Sequence, residues 1–284
     1  MNQSLIVAIP YCTKDVDLAR KLLLWIAELG GVEKHFCLLG ADSAVPEEQS
    51  AELKKIAAEA FGYAWTIRCN IGEVSAYQIA CNRMFSRMAN QIQQTCRHPF
   101  LWLEPDCVPV KKDWLDQLSD GYHEQPKRYL GRIIDSQDAK VAPADIKKHM
   151  AMVAVYPQDA FSDLKPYLEG QRAFDLAAHE FLVPRATDTK LIQQFFPPRD
   201  QMITFKAERV DEDPVNVRTP KSLFPETVLF HQSKDGTLID VLRPQLIIPK
   251  DLSPDLRKAM EGKPVGRPTK AEKELASGAL IPNA

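Results

Sequence analysis

Short apolar runs alternate with longer amphipathic stretches through the first half of the chain. Leu5 to Pro10, LIVAIP, is unbroken by a polar residue and short enough for a buried strand. From about Asp15 to Leu29 the apolar positions recur at helical spacing, with Leu18, Leu22, Trp25, Ile26 and Leu29 on one stripe, and Gly30-Gly31 provides the stop. The same reading predicts a strand over His35 to Gly40 and a helix over Pro46 to Phe61. Pro46-Glu47-Glu48 suits that helix's N-terminus, where acids meet the positive end of the dipole. Tyr63 to Arg68 is a third strand, about Glu73 to Gln93 a third helix, and Phe100 to Leu103 a fourth strand. Such alternation predicts an α/β fold with a mostly parallel sheet and helices on both faces. Ligands then bind beyond the carboxyl ends of the strands.

The second half is less regular. A short helix starts over Trp114 to Leu118, and Tyr129 to Ile134 and Met150 to Tyr156 read as strands, with the polar stretch Asp135 to Lys148 between them as a surface loop. Ala173 to Ala186 predicts one helix, and Thr227 to Leu242 a short strand ending on His231 before the turn Lys234-Asp235-Gly236. Pro197 to Pro220, rich in proline and charge, is expected to run over the surface. From residue 249 onward the chain is polar and basic, too polar over Lys263 to Glu274 to join a core.

Composition narrows the class only a little. With 284 residues, 45% of them hydrophobic and 26% charged, the chain can bury a substantial core and reads as an ordinary globular protein. A net charge of −2 means that a nucleic-acid partner would have to be held by a local basic patch. The 6 cysteines show no C-x-x-C spacing, so free buried thiols in a reducing compartment are expected rather than a paired-cysteine zinc site. The start MNQSLIVAIPYC lacks a basic leader and no apolar run reaches membrane-spanning length, which predicts a cytosolic protein.

The best mark of chemistry is Pro99 to Leu118, where an apolar run stops on two acids. In extended chain, side chains two apart point the same way, so Glu104 and Asp106 form a fork around a stiffening Pro105. Mg²⁺ or Mn²⁺ commonly binds one or two carboxylates plus substrate phosphates, so the fork suits a cation holding a diphosphate; a polar turn after a strand is the other reading. Asp175 and His179 stand one turn apart on the predicted helix, with Asp175 a candidate general base and Glu180 a second one; an exposed ion pair is the alternative. Between the first strand and its helix stands Pro10-Tyr11-Cys12-Thr13, where a dinucleotide dehydrogenase would carry G-x-G-x-x-G, so that class drops far down. A nucleotidyltransferase would normally offer a glycine-rich phosphate loop at the same place.

Glu104-Pro105-Asp106, with the Val-Pro-Val and Asp-Trp-Leu patterns after it, resembles the strand-end D-x-D region of GT-A glycosyltransferases, with Glu in place of the first Asp. The resemblance implies a GT-A fold and transfer of a sugar from a nucleotide diphosphate, a UDP-sugar being favoured. On it, residues 1–110 form the nucleotide-sugar half of the domain, 111–248 the acceptor-side half and 249–284 a tail. It implies that Pro10, Tyr11 and Thr13 line the base and ribose pocket with Tyr11 stacking, that Asp42 contacts base or ribose, and that Arg68 and Asn70 lead into the helix beneath the donor. Asp42 as a turn cap and Asn82 as a solvated polar face are the plainer alternatives. His231 would complete a Mn²⁺ or Mg²⁺ site with Glu104 and Asp106, and Lys234 would meet the diphosphate. Gly266-Arg267-Pro268 in the tail resembles the centre of an AT-hook, with Val265 where a second arginine would stand. With a cytosolic chain, this resembles the bacteriophage enzymes that glycosylate hydroxymethylated pyrimidines in DNA. A polysaccharide or lipid-linked sugar is the competing acceptor, and a non-catalytic DNA-binding protein the competing class.

Overall fold

The computed structural model describes residues 4–72, 76–135, 143, 145–194, 204–206, 216–218 and 226–243. The tail, including Gly266-Arg267-Pro268, and most of Pro197 to Pro220 lie outside the described residues. The first half follows the predicted alternation: β1 (Ile6–Tyr11), α1 (Val16–Leu29), β2 (Phe36–Asp42), α2 (Glu47–Ala60), β3 (Tyr63–Cys69), α3 (Tyr77–Thr95) and β4 (Phe100–Trp102). The second half is built of shorter pieces: β5 (Val108–Pro109), α4 (Trp114–Glu124), β6 (Tyr129–Asp135), β7 (Lys148–Tyr156), α5 (Ala160–Leu168), α6 (Phe174–Ala177), α7 (His179–Arg185), β8 (Ala186–Asp188), β9 (Ile192–Gln194), β10 (Thr204–Lys206), β11 (Asn216–Arg218), β12 (Leu229–His231) and α8 (Thr237–Leu242).

The main sheet has 7 strands in the order β3-β2-β1-β4-β7-β6-β8. β1, β2, β3 and β4 pair in parallel, and β7 runs antiparallel to both of its neighbours, so β7 is the reversed strand of an otherwise parallel sheet. Because β1 and β4 are adjacent and parallel, the loop after Tyr11 and the fork after Trp102 emerge on one edge. A small sheet in the order β5-β12-β9 and the antiparallel pair β10-β11 complete the strands. Among the described residues no helix is long and apolar enough to cross a membrane.

The core on one face of the sheet is aromatic. Phe85 of α3 packs against Phe174, Trp102, Tyr156 and Phe100 with ring centroids 4.2, 4.9, 5.1 and 6.0 Å away. Each such pair adds about 0.5–1.5 kcal/mol to the burial of its area. This cluster ties the strand that carries the fork to α3 and to α6. The approach of α3 depends on Gly40, since a Cβ there would fall 2.1 Å from the Met88 sulfur. Gly30 and Gly31 end α1 with φ of 67° and 78°, as glycine permits.

Ala173 to Ala186 is not the single helix expected. It divides into α6 and α7 at Ala178, whose ψ of 14° leaves the helical range, and Pro184 within α7 has no N–H for the ladder. The two- and three-residue strands β5, β8 and β9 were not foreseen, because runs that short hold no readable alternation.

Candidate active site

The fork is held by main chain on both sides. Leu103 donates its N–H to Ala8 O (2.9 Å), and Cys107 N–H closes a turn onto Glu104 O (2.9 Å). The chain then enters β5, which pairs with β12 through Phe230↔Val108 and Leu229↔Pro109. That register brings the end of β12 opposite the fork, and Ser233 N–H donates to Asp106 O (2.9 Å). Gln232, between His231 and Ser233, takes φ 84°, a left-handed conformation that non-glycine residues seldom adopt and that marks strained, site-proximal turns. From the other side Trp25 of α1 donates its indole N–H to Pro109 O (2.8 Å).

These paths bring together Glu104, Asp106, His231 and Lys234, four of the residues predicted from the sequence. His231 Nε2 lies 3.0 Å from Glu104 Oε2 and 3.2 Å from Asp106 Oδ1, and Lys234 Nζ pairs with Asp106 Oδ2. His231 Nε2 and Glu104 Oε2 are hydrogen-bond partners, and Asp106 Oδ1 lies beside the ring without a hydrogen bond of its own. Burial disfavours the charge on His231, but the two carboxylates outweigh it and raise its pKa to about 9. Burial also opposes the charge of Asp106, yet His231 and Lys234 hold its carboxyl well below the usual range. A proton on His231 therefore sits between two acids, where a cation would be equally well placed.

Asp175 is subject to the charges of the same cluster. Burial, reinforced by the charge of Glu104, pushes its carboxyl up to about 7, while His231 acts in the opposite sense. It is positioned by Asn82, which is fully buried on α3. Asn82 Nδ2 donates to Arg172 O (2.8 Å) and Gly170 O (3.4 Å), and its Oδ1 accepts from Phe174 N–H (2.9 Å). Asn82 is thus neither a solvated polar face nor a donor contact; it clamps the segment that carries Asp175. Asn82→Ala would leave the buried Phe174 N–H unpaired, at about 1–3 kcal/mol. The expected result is a lower thermal midpoint, together with a loss of transfer larger than the loss of cation affinity, measured by melting and by metal titration.

His179 does not pair with Asp175. Its Nδ1 bonds to Leu176 O (2.9 Å). Glu180 is exposed on α7, so of the two candidate bases Asp175 is the one that the charges of the cluster reach. Tyr77 and Cys81, one turn apart on α3, also feel the charge of Glu104, and Tyr77 is 74% exposed. Sequence reasoning missed both, although an aromatic and a thiol four apart on a predicted helix were visible.

The predicted donor-pocket residues are less uniform. Tyr11 is 1% exposed, so its ring is part of the core and cannot stack on a base in this conformation. Pro10 is half-buried and Thr13 exposed at the same loop. Asp42 Oδ1 accepts from Ser43 Oγ (3.4 Å) and Ala44 N–H (3.5 Å), the turn-capping alternative. Arg68 is occupied by Ser50 Oγ, Ser43 O and Val45 O at 2.9, 2.9 and 2.6 Å, and so staples the loop before α2. Asn70 is exposed and accepts from Gly72 N–H (3.1 Å).

The donor set can also be tested against a divalent cation. Among the described residues, Asp106, Cys107 and His231 each place a ligand atom within 4.8 Å of the others. Asp106 Oδ1 and His231 Nδ1 are buried without a hydrogen-bond partner, as expected where a further group completes the site. Of the expected trio, Asp106 and His231 belong to this group with Cys107, and Glu104 stands beside it as the hydrogen-bond partner of His231.

No protein-family model matches the sequence, and no curated protein matches it either. Solved structures do match in fold. The galactosyltransferase LgtC, in a complex with donor and acceptor sugar analogs, superposes with a TM-score of 0.51 at 8% identity, over 90% of this chain and 100% of that one. The glycosyltransferase GlyE of Streptococcus pneumoniae TIGR4 superposes with a TM-score of 0.50 at 13% identity, over 90% of this chain and 63% of its own. The fold is α/β and GT-A-like, a mostly parallel 7-stranded sheet flanked by helices.

Proposed function

We propose that this protein is a metal-dependent glycosyltransferase that moves a sugar from a nucleotide diphosphate, with a UDP-sugar favoured, to a hydroxyl acceptor. The observation that carries the reading is the convergence of Asp106, Glu104, His231 and Lys234 on the edge of a GT-A-like sheet where β1 and β4 end, with Asp175 subject to the charges of Glu104 and His231. Both fold-level matches are themselves described as transferases of sugars.

In this reading Asp106 and His231 hold the cation, Mn²⁺ or Mg²⁺ on the carboxylate-led donor set, and Glu104 fixes the His231 ring. A bound divalent cation would supply positive charge for the departing diphosphate. Lys234, more than half exposed at the rim, offers its ammonium to the same phosphates. Asp175 receives the proton of the acceptor hydroxyl. Pro10, Thr13, Asp42 and Asn70 line the path along the strand ends to the nucleoside.

A melting series with UDP- and GDP-sugars plus Mn²⁺ tests the reading against a non-catalytic DNA-binding protein. A ligand that binds only the native state stabilises it by about 2.7 kcal/mol at a hundred times its Kd. A raised midpoint that needs sugar nucleotide and cation together is expected; no shift with any donor would refute the enzyme.

The acceptor is proposed from the tail. Gly266-Arg267-Pro268 and the lysines around it favour DNA bearing hydroxymethylated pyrimidines, as in bacteriophage genomes, over a polysaccharide or lipid-linked sugar. Removing residues 249–284 is expected to weaken DNA binding and flatten its dependence on salt, because lost phosphate contacts release fewer counterions. An unchanged salt slope would favour the saccharide acceptors.

A further inference from the structure

Cys107 directly follows the fork and is fully buried. A buried free thiol ordinarily behaves as a small hydrophobe. Here its surroundings are different. The turn closed by Cys107 N–H on Glu104 O brings Asp106 and Cys107 round together, and the β5-β12 pairing delivers His231 to the same spot. The thiol sulfur, an Asp106 oxygen and a His231 nitrogen all lie within 4.8 Å of one another. In a tetrahedral Zn²⁺ site with bonds of roughly 2.0–2.3 Å, ligand atoms stand roughly 3.3–3.8 Å apart, so only small side-chain movements separate the two arrangements.

Two further observations point to a ligand. Asp106 Oδ1 and His231 Nδ1, both on residues more than nine-tenths buried, have no hydrogen-bond partner. Glu104 already holds His231 by a 3.0 Å bond, the arrangement that orients a metal-binding imidazole from outside the coordination shell.

We propose that the cation site is a three-ligand Asp106, Cys107 and His231 centre, and that the Cys107 thiolate makes it prefer Zn²⁺ or Co²⁺ over Mg²⁺ and Mn²⁺. The inference rests on the reading that this cluster holds a divalent cation, and revises which one. Oxygen-only sites suit Mg²⁺ and Mn²⁺, whereas a thiolate shifts selection to softer ions. On binding, the sulfur–metal bond replaces the S–H bond and the proton leaves to solvent. Three protein ligands leave an open position, where a diphosphate oxygen can bind.

Co²⁺ titration of the full-length protein, freed of metal with a chelator, tests this by absorption. One equivalent should give visible d–d bands together with a near-ultraviolet thiolate-to-Co²⁺ charge-transfer band. Zn²⁺ should bleach both, and Mg²⁺ in large excess should not. Cys107→Ser should lose the charge-transfer band and shift the Zn²⁺ to Mn²⁺ preference by at least about tenfold, the loss that even an outer partner of a metal ligand causes. Cys81→Ser, which removes the other thiol near Glu104, should keep the band, and that variant decides the matter if Cys107→Ser does not fold. Visible bands without the charge-transfer band would overturn the thiolate centre while leaving a cation site in place. Failure to bind Co²⁺ at all would overturn both.

Discussion

Asp106→Asn is expected to lower donor hydrolysis and sugar transfer together by about 10²–10³-fold, the scale at which a single transition-state charge partner acts. Asp106 does two things at once. Its Oδ1 lies 3.2 Å from His231 Nε2 and belongs to the close donor group, and its Oδ2 carries Lys234. An amide offers the cation a weaker ligand and gives Lys234 no counter-charge, so diphosphate grip should fall from both sides. The effect on folding should be much smaller. His231 stays protonated near neutral pH largely because of Asp106, so in the variant it can shed its proton instead of remaining a buried, half-compensated charge. Kinetics with a UDP-sugar, read beside a cation titration and a melting curve, separate these effects. Wild-type hydrolysis in the variant, with cation affinity unchanged, would remove Asp106 from the site.

The fold up to the fork was readable because its helices are long enough to show their period and the strands β1, β2 and the short β4 read as unbroken apolar runs. Leu22, Trp25, Ile26 and Leu29 on the α1 stripe are all buried, and the apolar runs of β1, β2 and β4 are nearly so throughout. Glu104 and Asp106 stood out for the same reason, as acids where a buried run stops. What stayed hidden depends on register between distant segments. No local pattern says that Phe230 pairs with Val108, yet that pairing sets His231 over Asp106 and draws Cys107 into the group. The placement of Asp175 was likewise nonlocal: it follows from Asn82, more than 80 residues away, gripping the main chain on either side of Ala173. Tyr11 shows the opposite error. It stands at the strand end, but β1 is buried along both faces, so a residue type suited to stacking serves the core.

Asp175→Asn is expected to cut transfer to the acceptor by about 10²–10⁴-fold, the range of a positioned general base, while donor hydrolysis by water and cation affinity fall far less. Amide and carboxylate have the same shape, and the Oδ1 acceptor of Leu176 N–H (3.0 Å) survives in Asn, so α6 should keep its place. The pH profile gives a second readout. The folded carboxyl is raised from 3.8 to about 7, chiefly by burial and then by the charge of Glu104. A base works when deprotonated, so transfer should climb as pH rises through that value in protein whose cluster is not charge-neutralised. A cation held beside Glu104 offsets the repulsion, which moves the limb to lower pH as the metal is saturated. The linkage has a matching sign: an acid raised on folding contributes stability that is complete below pH 4 and is lost as pH rises through about 7. The metal-free wild type should therefore lose stability across that window more steeply than Asp175→Asn, which has no proton to release. A pH-independent difference between the two melting series, or a transfer profile without the limb, would rule Asp175 out as the proton acceptor.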